Sequence, residues 1–267
     1  MSAGAAGPPR EPPAAPLAER VRAYWNERIH DLEMTTAPPG SAEFFRELDA
    51  YRFEKLDYLP RLVNFAGYAG RPVLEIGCGI GTDLARFAQG GARVSGVDLS
   101  ETAVHLARGN LAHLGLEGDL RVGDGTALPW PDERFDLVYC HGVLQYAADP
   151  RGIVREAHRV LAREGEAIFM AYNRRSWLAW MSRWFGVGLE HGDAPALRLY
   201  TKAELNELLG VFAERRIVPE RFPVRSRLHK GVKGMLYNTL FVRAFGTLPR
   251  AWVRPLGWHL MAFCRKR

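Results

Sequence analysis

Residues 73–83 read VLEIGCGIGTD, and this stretch constrains the fold more than any other part of the chain. An apolar run contains one acid, Glu75, and is followed by glycine at three alternate positions, Gly77, Gly79 and Gly81. Because glycine lacks a Cβ, the backbone can turn sharply there and a ligand can lie directly against it. The pattern predicts a buried strand, a tight turn and then a helix whose first amide groups carry partial positive charge.

The spacing of the glycines distinguishes between the classes of ligand that such a turn can bind. A dinucleotide-binding turn has the pattern G-x-G-x-x-G, and a phosphate-binding loop needs G-x-x-x-x-G-K-[ST]. This chain has G-x-G-x-G without the lysine, and Glu75 stands two positions before the first glycine. A carboxylate at that place repels a pyrophosphate and suits a ligand with an ammonium group.

Apolar runs alternate with helical patterns along most of the chain. PVLEI, RVSGVDL, DLRVGD, RFDLVYC, EAIFMAYN, ERRIVPERF and GWHLMAFCRK read as strands. They are mostly continuous apolar runs, as burial on both faces of a sheet requires. The alternation predicts an α/β fold, a Rossmann-like doubly wound sheet with helices on both faces. Before it, LAERVRAYWNERIHDLE and SAEFFRELDAYRFEKLDYLPRL each read as one helix, with Ser41 as N-cap of the second.

Composition divides the chain into three parts. Residues 1–16 are rich in Pro, Ala and Gly and are predicted to form a disordered tail. Residues 17–66 are predicted to be an N-terminal helical cap, and residues 67–267 one α/β domain. Stretches at about 174–200 and 223–255 interrupt the alternation, and we expect them to be mostly helical lid insertions over the active face.

Two further acids follow predicted strands. Asp98, within GVDLS, lies about 17 residues after Gly81. At that place a carboxylate can hold two ribose hydroxyls. Asp124, in GDGTALPW, is placed to accept a hydrogen bond from an adenine amino group, and Leu99 to pack on the ring. The predicted pocket therefore suits an amino-acid end, a ribose and an adenine without phosphate, which is the anatomy of S-adenosylmethionine.

Four stretches in order resemble the motifs of class I S-adenosylmethionine-dependent methyltransferases: VLEIGCGIGTD, VSGVDLS, GDGTALPWPDERFDLVYCHGVLQY and EAHRVLAREGEAIFMAYN. The nearest subgroup is the small-molecule one (methyltransferase type 11) that includes ubiquinone and menaquinone biosynthesis methyltransferases. The resemblance covers residues 68–173 strongly. It implies S-adenosyl-L-methionine as cofactor and a seven-stranded sheet whose last strand, GWHLMAFCRK, runs antiparallel.

The resemblance also implies which residues bind the cofactor. They are Glu75, Gly77, Gly79, Gly81, Asp98, Leu99, Asp124, Gly125 and His141. The alternative for these residues is structural, such as helix–strand packing for Gly77 and helix capping for Asp98. The family often has a histidine where this chain has Gln145, so no role is carried over to that position. No metal site is expected, since neither C-x-x-C nor H-E-x-x-H occurs.

Methyl transfer requires an aligned acceptor and, for a hydroxyl acceptor, a base. His141, directly after the fourth strand, is the first candidate because histidine titrates near neutral pH. Its alternative role is to line the cofactor pocket without proton transfer. His191, in the first insertion, is the second candidate. Lesser candidates are Asp193, Tyr146 and Tyr172, whereas His30, His105, His113 and His158 fall in predicted helices and are interpreted as surface or structural residues.

Aromatic residues mark both insertions. Trp177, Trp180 and Trp184 share one face of a predicted helix. The second insertion contains Leu236, Leu240, Phe241 and Phe245 beside Lys233 and Arg243, and then Trp252; Trp258 follows directly after it. Such helices form either an apolar lid over the active face or a membrane-interface surface. An apolar lid favours a small, lipophilic acceptor, methylated at oxygen or carbon.

Charge is distributed unevenly along the chain. The net charge is +6, but residues 214–267 carry about +11 and the remainder about −5. The basic part fits an anionic partner, such as a membrane surface or nucleic acid, or is a solvated face. Amino-methyltransferases of nucleic acid bases have Asn/Asp-Pro-Pro-aromatic where this chain reads CHGV, which disfavours nucleic acid.

These observations favour a cytoplasmic methyltransferase, with or without peripheral membrane contact. Three widely separated cysteines predict no disulfide, as a reducing compartment requires. Two alternatives stay open: a non-catalytic nucleoside-binding partner subunit, and an RNA methyltransferase that uses the basic C-terminal region.

Overall fold

Seven strands form one sheet. They are β1 (Pro72–Ile76), β2 (Arg93–Asp98), β3 (Gly118–Val122), β4 (Phe135–His141), β5 (Leu161–Tyr172), β6 (Glu214–Glu220) and β7 (His259–Arg265). Their order is β3-β2-β1-β4-β5-β7-β6. The pairs from β3 to β5 are parallel, whereas β7 runs antiparallel to both β5 and β6. The predicted fold class is therefore confirmed, including the antiparallel last strand. The structure is a computed structural model and describes residues 15–224, 235 and 237–267.

Helices cover both faces of the sheet and its carboxyl edge. The α-helices are α1 (Leu17–Asn26), α2 (Ala42–Lys55), α3 (Leu59–Leu62), α4 (Thr82–Gln89), α5 (Glu101–His113), α6 (Pro150–Val160), α7 (Trp177–Phe185), α8 (Lys202–Leu208), α9 (Val242–Thr247) and α10 (Arg250–Val253). Alternate residues of a strand face opposite sides, so Val73 and Leu74 belong to two different apolar clusters. The central strands are thus buried on both faces, as their continuous apolar sequence predicts.

The N-terminal cap differs from its prediction at two points. The single helix predicted over residues 17–33 is wrong, because α1 ends at Asn26 and Asp31 has a left-handed backbone (φ 58°) that a right-handed helix cannot contain. The second predicted helix is two helices, α2 and α3, with Pro60 in the first turn of the latter. Ser41 is confirmed as N-cap of α2, since its hydroxyl oxygen accepts a hydrogen bond from the Phe44 amide at 3.1 Å.

The predicted tail and insertions are only partly described. Residues 1–14 of the tail and residues 225–234 of the second insertion, including Lys233, lie outside the described residues, as does Leu236. The first insertion contains α7, followed by turns without a helix or strand over 186–199. Among the described residues, no helix is both long and apolar enough to cross a bilayer.

Two glycines allow a test of the packing between β6 and β7. A Cβ added to Gly257 would lie 2.5 Å from the carbonyl oxygen of Glu220, so Gly257→Ala should lower the free energy of unfolding by about 1–3 kcal/mol. Gly246, in α9, has no atom within 4 Å of such a Cβ. Gly246→Ala should therefore stabilise the helix by about 0.5–1 kcal/mol. Urea denaturation measures both, and shifts of the same sign would contradict this packing.

Candidate functional site

A cavity of about 320 Å³ opens at the carboxyl edge of β1, β2 and β4. All the residues predicted to bind the cofactor line it except Gly81. Gly81 is the N-cap of α4 with φ 77°, and a Cβ there would lie 3.1 Å from the Cβ of Ala107. The structure therefore brings the predicted residues of separate strands together, as parallel strand ends require.

The glycine turn lies on the floor of the cavity. Gly77 has φ 72°, and a Cβ there would lie 2.2 Å from Cγ2 of Val143. Gly79 has φ 52°, with no atom within 4 Å of where a Cβ would be. The first glycine therefore permits close packing, and the second leaves bare backbone facing open space.

Two carboxylates flank this turn. Asp98 accepts hydrogen bonds from the amides of Gly79 and Ser100, both at 2.9 Å. Burial raises the pKa of Asp98, and these amides act in the opposite direction. Glu75 is 4% exposed, its Oε2 has no hydrogen-bond partner, and burial followed by the charge of Asp83 raises its pKa well above the usual value. A buried acceptor without a partner, in the cavity wall, fits a ligand that brings a cationic donor.

The third strand end supplies a turn that is already hydrogen-bonded. Asp124 Oδ1 accepts from the amide of Thr126 at 2.9 Å and from its hydroxyl at 2.8 Å. Leu99 and Gly125 line the cavity near this turn. Gln145 is fully buried, and neither atom of its side-chain amide has a hydrogen-bond partner.

A buried ion pair joins the N-terminal cap to the helix that follows the glycine turn. Arg52 of α2 donates from Nε to Asp83 Oδ1 at 2.6 Å, and its Nη2 donates to Oδ2. Tyr139 donates to the same carboxylate at 2.9 Å. Burial would raise the pKa of Asp83, but Arg52 lowers it below its usual value.

Arg52 also begins an arginine-flanked array of polar side chains beneath the cavity. Its Nη2 lies 3.3 Å from Nδ1 of His141. Tyr58 lies between His141 Nε2, at 3.2 Å, and His259 Nδ1, at 2.5 Å. Arg221 closes the array, with Nη1 3.0 Å from His259 Nε2. Burial, followed by the charge of Arg52, lowers the pKa of His141 to about 3, so its ring is neutral at neutral pH.

A second group of charges forms the opposite wall. Arg221 and Lys55 both contact the carboxylate of Glu190, Lys55 at 3.0 Å. Tyr172 donates to it at 3.0 Å. Burial alone would raise the pKa of Glu190, but the two cations lower it well below the usual value. Glu190 is thus held as a charged anchor and is a poor proton acceptor.

His191 lies beside this wall in a carboxylate-flanked array. Its Nε2 is 2.6 Å from Nδ1 of His30, and its Nδ1 is 3.2 Å from the hydroxyl of Tyr24. Tyr24 in turn donates to Asp193 at 2.8 Å. At the other end, His30 Nε2 lies 3.3 Å from Asp31 Oδ2. Burial lowers the pKa of His30 to about 4 and lowers that of His191.

Several polar residues of this site were missed by sequence reasoning. They are Arg52, Lys55, Tyr58, Asp83, Glu190, Arg221 and His259. His30 was wrongly placed on a helix and interpreted as surface or structural; it follows the end of α1 and lines the cavity. His259, a polar residue inside the apolar run GWHLMAFC, and Asp83, directly after the glycine motif, carried local signals.

Comparison with known proteins agrees with this geometry. Residues 74–169 match the family described as "Methyltransferase domain". The ubiquinone biosynthesis O-methyltransferase of Azoarcus sp. (strain BH72) is 33% identical over 157 residues, which cover 58% of this chain and 64% of that protein. Its counterpart in Stutzerimonas stutzeri (strain A1501) is 36% identical over 108 residues, 40% of this chain and 46% of that protein. The chain thus spans about half the length of the curated relatives it matches.

Solved structures share the fold. A geranyl diphosphate C-methyltransferase from Streptomyces coelicolor A3(2) aligns with a TM-score of 0.58 at 18% identity, covering 96% of this chain and 100% of that one. A SAM-dependent methyltransferase from Aquifex aeolicus aligns with a TM-score of 0.55 at 17% identity, covering 85% and 99%.

The seven-stranded sheet described above therefore has the fold of solved structures that include a SAM-dependent methyltransferase. The match over residues 74–169 agrees with the methyltransferase family that the sequence motifs resemble.

The Arg52–Asp83 pair gives a stability prediction. Arg52→Met leaves a buried carboxylate without its charge partner and should lower the free energy of unfolding by about 3–5 kcal/mol near neutral pH. The wild-type pair is stabilising above the unfolded pKa of Asp83, about 3.9, and this contribution is lost as pH falls through the lower folded value. The penalty of Arg52→Met should therefore shrink on acidification.

Urea denaturation at about pH 7 and about pH 3 measures this penalty. Arg46→Met is the matched control, because Arg46 is exposed and pairs only with the exposed Glu43 among the contacts described. It should change stability by less than about 0.5 kcal/mol. Equal losses in the two variants would contradict the role of the buried pair.

Proposed function

We propose that this chain transfers a methyl group from S-adenosyl-L-methionine to a small, lipophilic acceptor, at oxygen or carbon. The observation that carries the proposal is the order of polar groups along one cavity: Glu75 without a partner, then Asp98, then Asp124. This order matches an ammonium group, a ribose and an adenine. When bound, the cofactor supplies a methyl group already activated on a sulfonium, so the protein has chiefly to bind and orient.

Each cofactor-binding residue has a physical role in this proposal. Glu75 Oε2 accepts from the ammonium group, and Asp98 accepts from the ribose hydroxyls beside the bare backbone of Gly79. Leu99 packs on the adenine, whose polar edge faces Asp124 and the backbone of Gly125. His141 lines the cavity, and His141 and His191 are the candidates that the sequence offers for the base if the acceptor is a hydroxyl.

The walls around the rest of the cavity support a lipophilic acceptor. Val21, Trp25 and Ile29 enter from the N-terminal cap, and Met170 and Tyr146 from the sheet side. Apolar walls with a few polar groups are typical of small-molecule sites. The similar proteins named for ubiquinone biosynthesis and for geranyl diphosphate point to the same class of acceptor.

Asp98→Asn tests the cofactor site. The substitution removes one carboxylate acceptor from the ribose, so the affinity for S-adenosylhomocysteine should fall about 10- to 100-fold. Calorimetry measures this, with Asp57→Asn, an exposed site, as control. Wild type should also transfer label from the methyl-labelled cofactor to a fraction of a bacterial lipid extract. Cofactor binding without label in any fraction would favour the non-catalytic alternative.

A membrane-facing surface is a further part of the proposal. Trp180, Trp184 and Trp252 are 57%, 65% and 71% exposed. Residues 221–258 contain eight Lys or Arg and no Asp or Glu. The two helical regions adjoin, since the ring centroids of Trp177 and Phe241 lie 5.8 Å apart. Exposed aromatic rings among cations fit the interface of an anionic bilayer.

Vesicle sedimentation tests this surface. The wild-type chain should bind vesicles containing phosphatidylglycerol better than pure phosphatidylcholine, and salt should weaken the binding. Replacing Trp180 and Trp184 together by Ser should weaken it at least about tenfold. Leu114→Ser, an exposed apolar residue at the end of α5, is the control. Equal binding by both variants would leave these tryptophans as a lid surface only.

A further inference from the structure

Two hydrogen-bonded arrays meet the same cavity, and they differ in what flanks them. In the arginine-flanked array, His141, Tyr58 and His259 lie between Arg52 and Arg221. In the carboxylate-flanked array, Tyr24, His191 and His30 lie between Asp193 and Asp31. Arginine can only donate hydrogen bonds and a carboxylate can only accept them, so the two arrays have opposite needs for protons.

The arginine-flanked array holds one hydrogen too many. Its four contacts receive one hydrogen from each arginine, and its three inner groups, when neutral, carry one each. Five hydrogens thus compete for four contacts. Proton uptake by His141 or His259 would add a sixth hydrogen between two fixed positive charges. His141 is therefore poorly placed to act as a base.

The carboxylate-flanked array holds one hydrogen too few. Tyr24 and the two neutral imidazoles supply three hydrogens for four contacts; Arg28 donates a further hydrogen to the Tyr24 oxygen at 3.3 Å, which makes a fifth contact and fills none of these four. Tyr24 donates to Asp193, His191 Nδ1 to Tyr24, and His30 Nδ1 to His191 Nε2. The empty contact then falls between His30 Nε2 and Asp31, which at 3.3 Å is the longest of the four. A lone pair on His30 consequently faces a carboxylate, and both residues line the cavity.

We propose that the His30–His191 pair takes the proton that the acceptor loses, which makes the acceptor a compound with an ionisable hydroxyl group. This inference rests on the proposed methyl transfer. In the step, a bond forms between the acceptor oxygen and the methyl carbon. The sulfur–carbon bond breaks with its electron pair left on sulfur, and the hydroxyl proton moves to His30 Nε2. The acceptor oxygen approaches along the lone pair of Nε2, and the resulting positive charge on the ring lies beside the carboxylate of Asp31, 3.3 Å away.

The electrostatics of the cavity favour the transfer of the hydroxyl proton to the His30–His191 pair. The pair gains one positive charge in the same step in which the sulfonium loses its own, so the net charge of the cavity is unchanged. The groups that face the pair are Asp31, Lys55 and Glu190 around His30, and Tyr24, Arg28, Tyr146, Glu190 and Asp193 around His191. Burial keeps the resting imidazoles neutral by lowering the pKa of both rings, whereas Asp31 and Glu190 act on both in the opposite direction and so favour the protonated pair.

A histidine NMR titration of the full chain, saturated with S-adenosylhomocysteine, tests the pair without an acceptor. The resonances lost in His30→Asn and in His191→Asn should titrate together in acid, with one proton shared between two rings. Asp31→Asn should move that midpoint down by about one pH unit, because a carboxylate favours the charged form. His105→Asn, on the exposed face of α5, should alter neither the joint titration of the two rings nor its midpoint. Independent titration, unaffected by Asp31→Asn, would overturn the proposal.

The rate of label transfer into the lipid fraction that wild type labels gives the second readout. Its kcat/KM should fall in acid as the pair is protonated, and Asp31→Asn should shift that fall to lower pH. His30→Asn should lower kcat about 10²- to 10⁴-fold, with unchanged affinity for S-adenosylhomocysteine and unchanged thermal melting. A His30→Asn enzyme with wild-type rate and pH profile would refute the pair as base. Failure of wild type to bind S-adenosylhomocysteine would instead refute the proposed function.

Discussion

The ion pair between Arg52 and Asp83 connects the parts of this protein that the cavity needs. Asp83 lies in the first turn of the helix that follows the glycine turn, and its side chain is fully buried. Arg52 comes from the N-terminal cap and reaches both that carboxylate and His141. Because neither charge can be buried alone, the cap has to sit where it closes the cavity. The same contact therefore fixes both the position of the cap and the residues that the cap contributes to the cavity wall.

The charged residues that flank each pair of histidines, rather than the place of a histidine in the fold, separate the roles of these four side chains. His141 and His259 share a tyrosine between two arginines, whereas His30 and His191 lie between two carboxylates. All four have a lowered pKa because of burial. The difference lies in the hydrogen-bond count, which leaves room for one proton in the second pair and none in the first. The position of His141 at the end of β4 therefore does not by itself make it the residue that takes a proton.

The central fold was predictable because its signals are local. The glycine turn, the acids at strand ends and the apolar runs each lie within a few residues, and the antiparallel last strand followed from the resemblance. The cap was less predictable, since a helical pattern continues past Asn26 although Asp31 has a left-handed backbone. The polar arrays were not predictable at all: Tyr58 contacts His259 across 201 positions, and His30 contacts His191 across 161. Only the folded sheet brings such partners together.

The attachment of α1 has a consequence for the exchange of bound molecules. Its final residue, Asn26, accepts a hydrogen bond from the Glu101 amide at 3.0 Å, and Val21 is its only buried side chain. The same helix contributes Ala18, Val21 and Trp25 to the cavity wall. An element with so little buried surface opens at small cost in free energy. Displacing this one short helix would open that wall of the cavity without any change in the sheet, and would break the hydrogen bonds of Tyr24 with His191 and Asp193.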